Sequence, residues 1–142
     1  MIHPRGVSFF HDARQWFGGI RFDVIFDVGA NVGQSAHVFA EENPQAKIYC
    51  FEPVERAFEE LERNIACFPG IKAYRLAMGS HHHRSTIYIP SESSLASLTP
   101  LGGDAVVEDV VVMTVDGFCA ANGIGRIDLL KIDTEGHDLH VL

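Results

Sequence analysis

An acidic residue, Asp27, stands immediately ahead of the turn "VGANVG" at 28 to 33, and a second acid, Glu52, follows 23 residues after Gly29. Glycines at the end of an apolar run let backbone come close to a bound molecule, and a helix opening there presents amides without intrahelical acceptors. Such a turn suits a nucleotide. It departs from the dinucleotide fingerprint, however: with Gly29 as the first glycine, Asn31 takes the second glycine's place and Gln34 the third's. The Lys-Ser/Thr pair of a phosphate-cradling loop is also missing, and Asp27 would repel a phosphate and attract a cation or an amine. Glu52 is placed to accept two hydrogen bonds from the vicinal hydroxyls of a ribose; alternatively it caps the helix that follows it. An adenosine without phosphates, joined to a positively charged group, satisfies both acids. S-adenosylmethionine, with its sulfonium and its α-amino group, is such a molecule.

A second group lies near the other end of the chain. Asp133, Glu135 and His137 alternate after the apolar run "IDLLKI", in positions to deprotonate an acceptor hydroxyl or to bind a metal. The plainer reading is that Asp133 caps a helix and the other two are solvated. His137 and His140, three residues apart, have the spacing of a two-histidine metal face, although lone surface histidines are commoner. The adjacent histidines at 81 to 83 cannot converge well on one ion, and no metal site is expected. Lys131 lies within an apolar strand, where an unpaired ammonium is expensive to bury. It is expected to meet Asp133 or Asp27 as scaffolding, the alternative being a Schiff base. Ser93 and Ser94 lie in a loop that could close over a ligand.

The elements that must position these residues follow from hydrophobic period. "DVIFDV" at 23 to 28 reads as a buried strand, and Val32, Ala36, Phe39 and Ala40 recur at helical spacing before "ENPQ" stops the pattern. "KIYCFE" at 47 to 52 is a second strand. Pro53 favours the first turn of a helix whose stripe is Val54, Phe58, Leu61, Ile65 and Phe68. "IKAYRLA" at 71 to 77 reads as a third strand. A short strand at 86 to 89 and a longer one at 106 to 115 are expected as an inserted antiparallel pair around a serine-rich loop. Asp116 is expected to cap a brief helix, "GFCAAN", before a fourth core strand at about 127 to 132. Strand-helix units feeding further strands predict an α/β fold with a parallel sheet, whose ligands bind outside the carboxyl ends of the strands.

Composition narrows the function classes. With 142 residues, 46% of them hydrophobic, one domain over 1–142 is expected. Eleven basic against 19 acidic residues give a formal charge of -8, with no basic stripe, so no nucleic-acid partner is expected. The three cysteines, Cys50, Cys67 and Cys119, form no CxxC pair and read as reduced thiols. The N-terminal segment carries charges and histidines throughout, and nothing approaches the length of a membrane span. A cytoplasmic protein without a membrane partner is the expectation.

Three stretches, "FDVGANVGQSA", "CFEPVERAFEELERNI" and above all "IDLLKIDTEGHDLHVL", resemble the FkbM-type family of S-adenosylmethionine-dependent methyltransferases. The resemblance spans most of residues 22 to 142, and its ending, Lys131 to Gly136, is distinctive for the group. It implies a Rossmann-like class I methyltransferase fold, with the cofactor against Asp27, Gly29, Ala30, Asn31 and Gly33. Glu52 would sit at the ribose, and the adenine near Ala77 and Met78. It also implies O-methylation of a small-molecule hydroxyl on a sugar, polyketide or similar metabolite. Family members usually have seven core strands, so this chain is expected to be truncated after the fourth. Two other functions stand beside this one. The first is a non-catalytic remnant or half-domain that needs a partner chain or forms a homo-oligomer through an exposed sheet edge. The second is nicotinamide-dependent hydride transfer, against which the absent second glycine and Asp27 both argue.

Overall fold

The computed structural model describes residues 8–90, 105–134 and 141. Its centre is a four-stranded parallel sheet in the order β3-β2-β1-β7, formed by β1 (Val24–Val28), β2 (Lys47–Phe51), β3 (Ile71–Tyr74) and β7 (Leu129–Ile132). Between these strands run α2 (Gln34–Glu42) and α3 (Glu55–Ile65), and α4 (Val115–Asn122) precedes β7. The α/β fold with a parallel sheet expected from the sequence is present, consistent with a Rossmann-like methyltransferase fold.

Alternation along the strands sorts the two faces. Ile25, Ile48, Cys50 and Leu129 pack with Ala36, Leu61 and Ile65 under α2 and α3, while Phe26, Val28, Phe51 and Leu130 pack against α4. Phe118 of α4 is the hub of the second face, its ring edge-on to Phe51 at 4.8 Å and to Tyr74 at 4.9 Å between centroids. Buried on both sides, β1 reads as an almost uninterrupted apolar run, as a central parallel strand must. Asp27 is the exception.

Several boundaries differ from the sequence reading. The expected third strand splits: after β3 the chain turns at Arg75 and Leu76, and β4 (Ala77–Met78) leaves the parallel sheet. It joins β5 (His83–Pro90) and β6 (Ala105–Met113) in a second sheet, order β4-β6-β5. The inserted antiparallel pair is thus real, with Ile87 opposite Glu108, but it recruits a third strand. The cap of α4 is Thr114, whose hydroxyl accepts from the Gly117 amide at 2.9 Å, and not Asp116. Pro53 lies outside α3, whose cap is Val54. The sequence reading contained no counterpart of α1 (Phe9–Trp16), in which Ser8 caps the first turn and Phe10 packs edge-on against Phe22 and Phe39. Among the described residues no helix is long and apolar enough to cross a membrane.

Candidate functional site

Strand order reverses between β1 and β7: β1 leads through α2 to β2 on one side, and β7 returns to pair on the other. At that switch point the carboxyl ends of β1, β2 and β7 converge, the place where open α/β sheets bind ligands. Asp27, the glycine turn, Glu52 and Asp133 all lie there.

The turn from β1 into α2 is held from the end of β2 and from α3. The amides of Gly29 and Ala30 both donate to the Phe51 carbonyl, at 3.0 and 3.1 Å, which ties the turn to the end of β2. Asn64 of α3 donates to the Val32 carbonyl at 2.8 Å. The turn needs left-handed backbone at three residues, Gly29 at φ 76°, Asn31 at φ 50° and Gly33 at φ 96°. Asparagine is among the few residues that tolerate it. Both glycines are also demanded by internal packing. A Cβ on Gly29 would fall on the Asp133 carbonyl oxygen, and one on Gly33 would come within 2.9 Å of Leu61 Cδ1. Both Cβ positions are therefore filled by the protein's own atoms.

Glu52 is 6% exposed, and each of its carboxylate oxygens takes one backbone amide. Asn31 donates to Oε2 and Val54 to Oε1, both at 2.9 Å. Of its two sequence readings, the support of the helix start is seen in the Val54 contact, and the same carboxylate also grips the glycine turn through Asn31. A carboxylate has about four acceptor positions, so two amides leave room for two further donors. Burial pushes its carboxyl above the ordinary carboxylate range; the two amides oppose the rise, and the nearby charges of Asp27 and Glu108 add to it.

Asp27 is fully buried on the α2 and α3 face of β1, and Lys131 is its register partner on β7. Lys131 Nζ donates to Asp27 Oδ1 at 2.9 Å and to the Gly29 carbonyl at 3.4 Å, and lies 3.8 Å from Asp133 Oδ2. The expected pairing of Lys131 is thus with both acids, Asp27 being the nearer. The other oxygen of Asp27, Oδ2, is buried and has no hydrogen-bond partner among the described residues. Burial raises the Asp27 carboxyl, Lys131 pulls it back, and the charge of Asp133 adds to the rise.

Around this centre, Met78 is buried in β4 and packs with Phe51 and Phe118. The Asp133 side chain is 66% exposed at the end of β7. Glu135, His137 and His140 lie outside the described residues, as do Ser93 and Ser94. Among the described residues no three His, Cys, Asp or Glu side chains are grouped to hold a metal ion. His81 and His83 stack on one another, with ring centroids 4.3 Å apart.

The sequence reading had no part for Arg75 or Glu108. Arg75 donates to the Pro53 carbonyl at 3.3 Å and pairs with Glu55 and Glu108, while Glu108 Oε2 accepts the Glu55 amide at 2.9 Å. Together they clamp residues 53 to 55, just beyond Glu52, to the second sheet. The partners are brought together from a turn, a helix start and a hairpin, so no local pattern announces them.

The turn, the acid after β2 and the acid after β7 are a constellation that can be compared with known proteins. Residues 27–142 match the model of the methyltransferase FkbM domain. The chain is 29% identical to methyltransferase sdnD of Sordaria araneosa, over 83% of this chain and 58% of that protein. It is 24% identical to the 2-O-methyltransferase NoeI of Sinorhizobium fredii, over 84% of this chain and 56% of the relative. With the hexuronic acid methyltransferase AglP of Haloferax volcanii the identity is 27%, over 84% of this chain and 48% of that one. The chain thus spans about half the length of these relatives. Since the matched region opens on Asp27 itself and takes in every strand end that builds the site, the chain belongs to the FkbM methyltransferase domain family.

Proposed function

We propose that this chain binds S-adenosylmethionine at the β1, β2 and β7 strand ends and serves O-methylation of a small polyhydroxylated acceptor. The observation that carries the reading is the disposition of the two buried acids. Among the described residues Glu52 keeps acceptor positions free at the end of β2, and Asp27 keeps a buried oxygen, Oδ2, without a donor. The first suits the paired hydroxyls of a ribose, and the second an α-ammonium; neither suits a phosphate.

When bound, S-adenosylmethionine supplies an electrophilic methyl group on its sulfonium. The chain's residues then have three tasks. Glu52 accepts from the ribose hydroxyls, fixed by the amides of Asn31 and Val54. Asp27 accepts the ammonium, and Gly29 to Gly33 shape the wall between them, with Met78 on the adenine side. Alignment of an acceptor oxygen is the remaining task and accounts for most of the catalysis such a transfer needs. Asp133, exposed at the rim, is the group we assign to take the proton of the acceptor hydroxyl, Glu135 and His137 being the other bases the sequence offers for that step. That relatives are named for a 2-O position and for a hexuronic acid supports a sugar-like acceptor.

Calorimetry with S-adenosylmethionine and with NAD tests the reading. Heat with the first and none with the second is expected, and Glu52→Ala should abolish it. Binding of NAD alone, or unchanged affinity in the variant, overturns it. One observation favours a second reading, a half-domain that binds the donor without turnover. Among the described residues β7 forms the edge of the parallel sheet, open to a further strand or a second copy. Donor binding without methyl transfer, with a sedimentation coefficient that rises with concentration, would select it.

A further inference from the structure

The Asp27 and Lys131 pair is lopsided in a way that a purely structural ion pair need not be. Both carboxylate oxygens of Asp27 are enclosed, yet Lys131 serves only Oδ1, and among the described residues Oδ2 has no donor. Buried polar atoms are nearly always satisfied, so a fully enclosed carboxylate oxygen left open at a ligand-binding strand end marks a place for a donor from outside the chain. The pair also spans the switch point, because the two residues are register partners on β1 and β7. The same ammonium reaches the Gly29 carbonyl, so one side chain of β7 holds both the acid and the turn that follows it. Among the described residues, few charged and titratable groups face Asp27. Lys131 and Asp133 come from the β7 end; Cys50 and Glu52 come from β2 and its end. Of these Lys131 alone is cationic.

Resting on the donor reading above, we propose that Lys131 is a positioning residue for the amino-acid head group of the methyl donor. Its ammonium keeps Asp27 ionised and turned, with Oδ2 presented to the incoming α-ammonium. Lys131 does not touch the reacting atoms. Its chemistry is to let a buried carboxylate stay charged until a second cation arrives, and ligands without an amine gain nothing from it.

The test separates head group from nucleoside. Binding of S-adenosylmethionine and of methylthioadenosine, which has the same nucleoside but neither ammonium nor carboxylate, is measured by calorimetry across pH. Wild type, Lys131→Met, Lys131→Gln and Lys131→Arg are compared, with folding checked by thermal melting. The Asp27 carboxyl is followed in parallel by isotope-edited NMR on the ligand-free proteins. The expected result is that Lys131→Met or Lys131→Gln moves the Asp27 midpoint upward and costs about tenfold in S-adenosylmethionine affinity at neutral pH. That loss shrinks as pH rises, methylthioadenosine affinity stays within about twofold, and Lys131→Arg restores both. Equal losses for the two ligands, or an unmoved Asp27 midpoint in a protein that binds the donor, overturn the role of Lys131. Wild-type protein that binds neither nucleoside overturns instead the donor reading on which the proposal rests.

Discussion

The carbonyl oxygen of Asp133 occupies the place where a side chain on Gly29 would begin, so the first turn of the fold and the end of its last described strand close directly on each other. Any Cβ at Gly29 must push β7 away from β1. It must also accept a left-handed φ of 76°, which by itself costs an L-residue roughly 1–2 kcal/mol. Gly29→Ala is therefore expected to lose clearly more stability in urea than Gly18→Ala. Gly18 has a similar φ of 67° but nothing within 4 Å of its missing Cβ. Equal losses for the two variants would mean that the strand ends are further apart than described.

Asp27 and Glu52 should cost stability as pH rises. Burial raises both carboxyls above their ordinary values of 3.8 and 4.5, so between the unfolded and folded midpoints the native state holds more protons than the unfolded one. Their contribution is full below the unfolded midpoint and is lost as pH climbs through the folded one. Under the proposed donor reading, binding should run the opposite way, since it calls on both acids in their charged form. In urea titrations over this range, wild type should lose stability relative to Asp27→Asn as pH increases, while its S-adenosylmethionine affinity improves. A flat difference between the two proteins would show that Asp27 is not held up by burial.

Asp128 provides the reverse case. Its Oδ2 accepts the amides of Asp23 and Val24, both at 2.9 Å, and Arg126 lies 2.6 Å from Oδ1. Burial works against the charge, but these partners prevail and hold the carboxyl below its ordinary value of 3.8. The contribution of Asp128 is thus present above 3.8 and is lost as pH falls through the folded midpoint. Asp128→Ala, which unfastens the start of β1 from the start of β7, should cost about 2–4 kcal/mol at neutral pH. Chemical denaturation at neutral pH and in acid should show that cost fading as pH falls.

The Arg75 and Glu108 clamp should matter more for the site than for the fold. Arg75 is about a third exposed and its ion pairs lie at the surface, where such pairs contribute roughly 0–1 kcal/mol. Releasing the Pro53 carbonyl, however, loosens the segment whose Val54 amide fixes Glu52. Arg75→Ala should leave the melting temperature nearly unchanged, speed hydrogen exchange at Val54 and Glu55, and weaken donor affinity several-fold. Unaltered exchange at those amides would sever the clamp from Glu52.

Much of this was legible in the sequence, because it depends on local pattern. Period-two and period-3.6 spacing of apolar residues identified the strands and helices from β1 to α3, and with them the strand ends where ligands bind. Residue type carried the chemistry. An acid before a glycine turn lacking the dinucleotide's middle glycine, and another acid after the second strand, pointed away from phosphates before any geometry was known. The helix α1 had its signal too, in Ser8 ahead of Phe10 and Ala13 at helical spacing, but the segment is short and its burial depends on Phe22 and Phe39.

Tertiary structure decided what local pattern cannot encode. "IKAYRLA" has the composition of one strand, and only the availability of β6 draws Ala77 and Met78 into a second sheet. The sequence required Lys131 to find a carboxylate, since a buried ammonium cannot stand alone. The parallel register of β1 and β7 chose Asp27, 104 residues away. That Gly29 and Gly33 are also required by close packing against Asp133 and Leu61 is visible only in the fold. The sequence by itself determined which residue types are present and the period in which they recur, because each is set within a few turns of chain. Which charges meet, which oxygen of Asp27 is left open and which Cβ has no space depend on strand order and register, and those are settled only when distant segments pack.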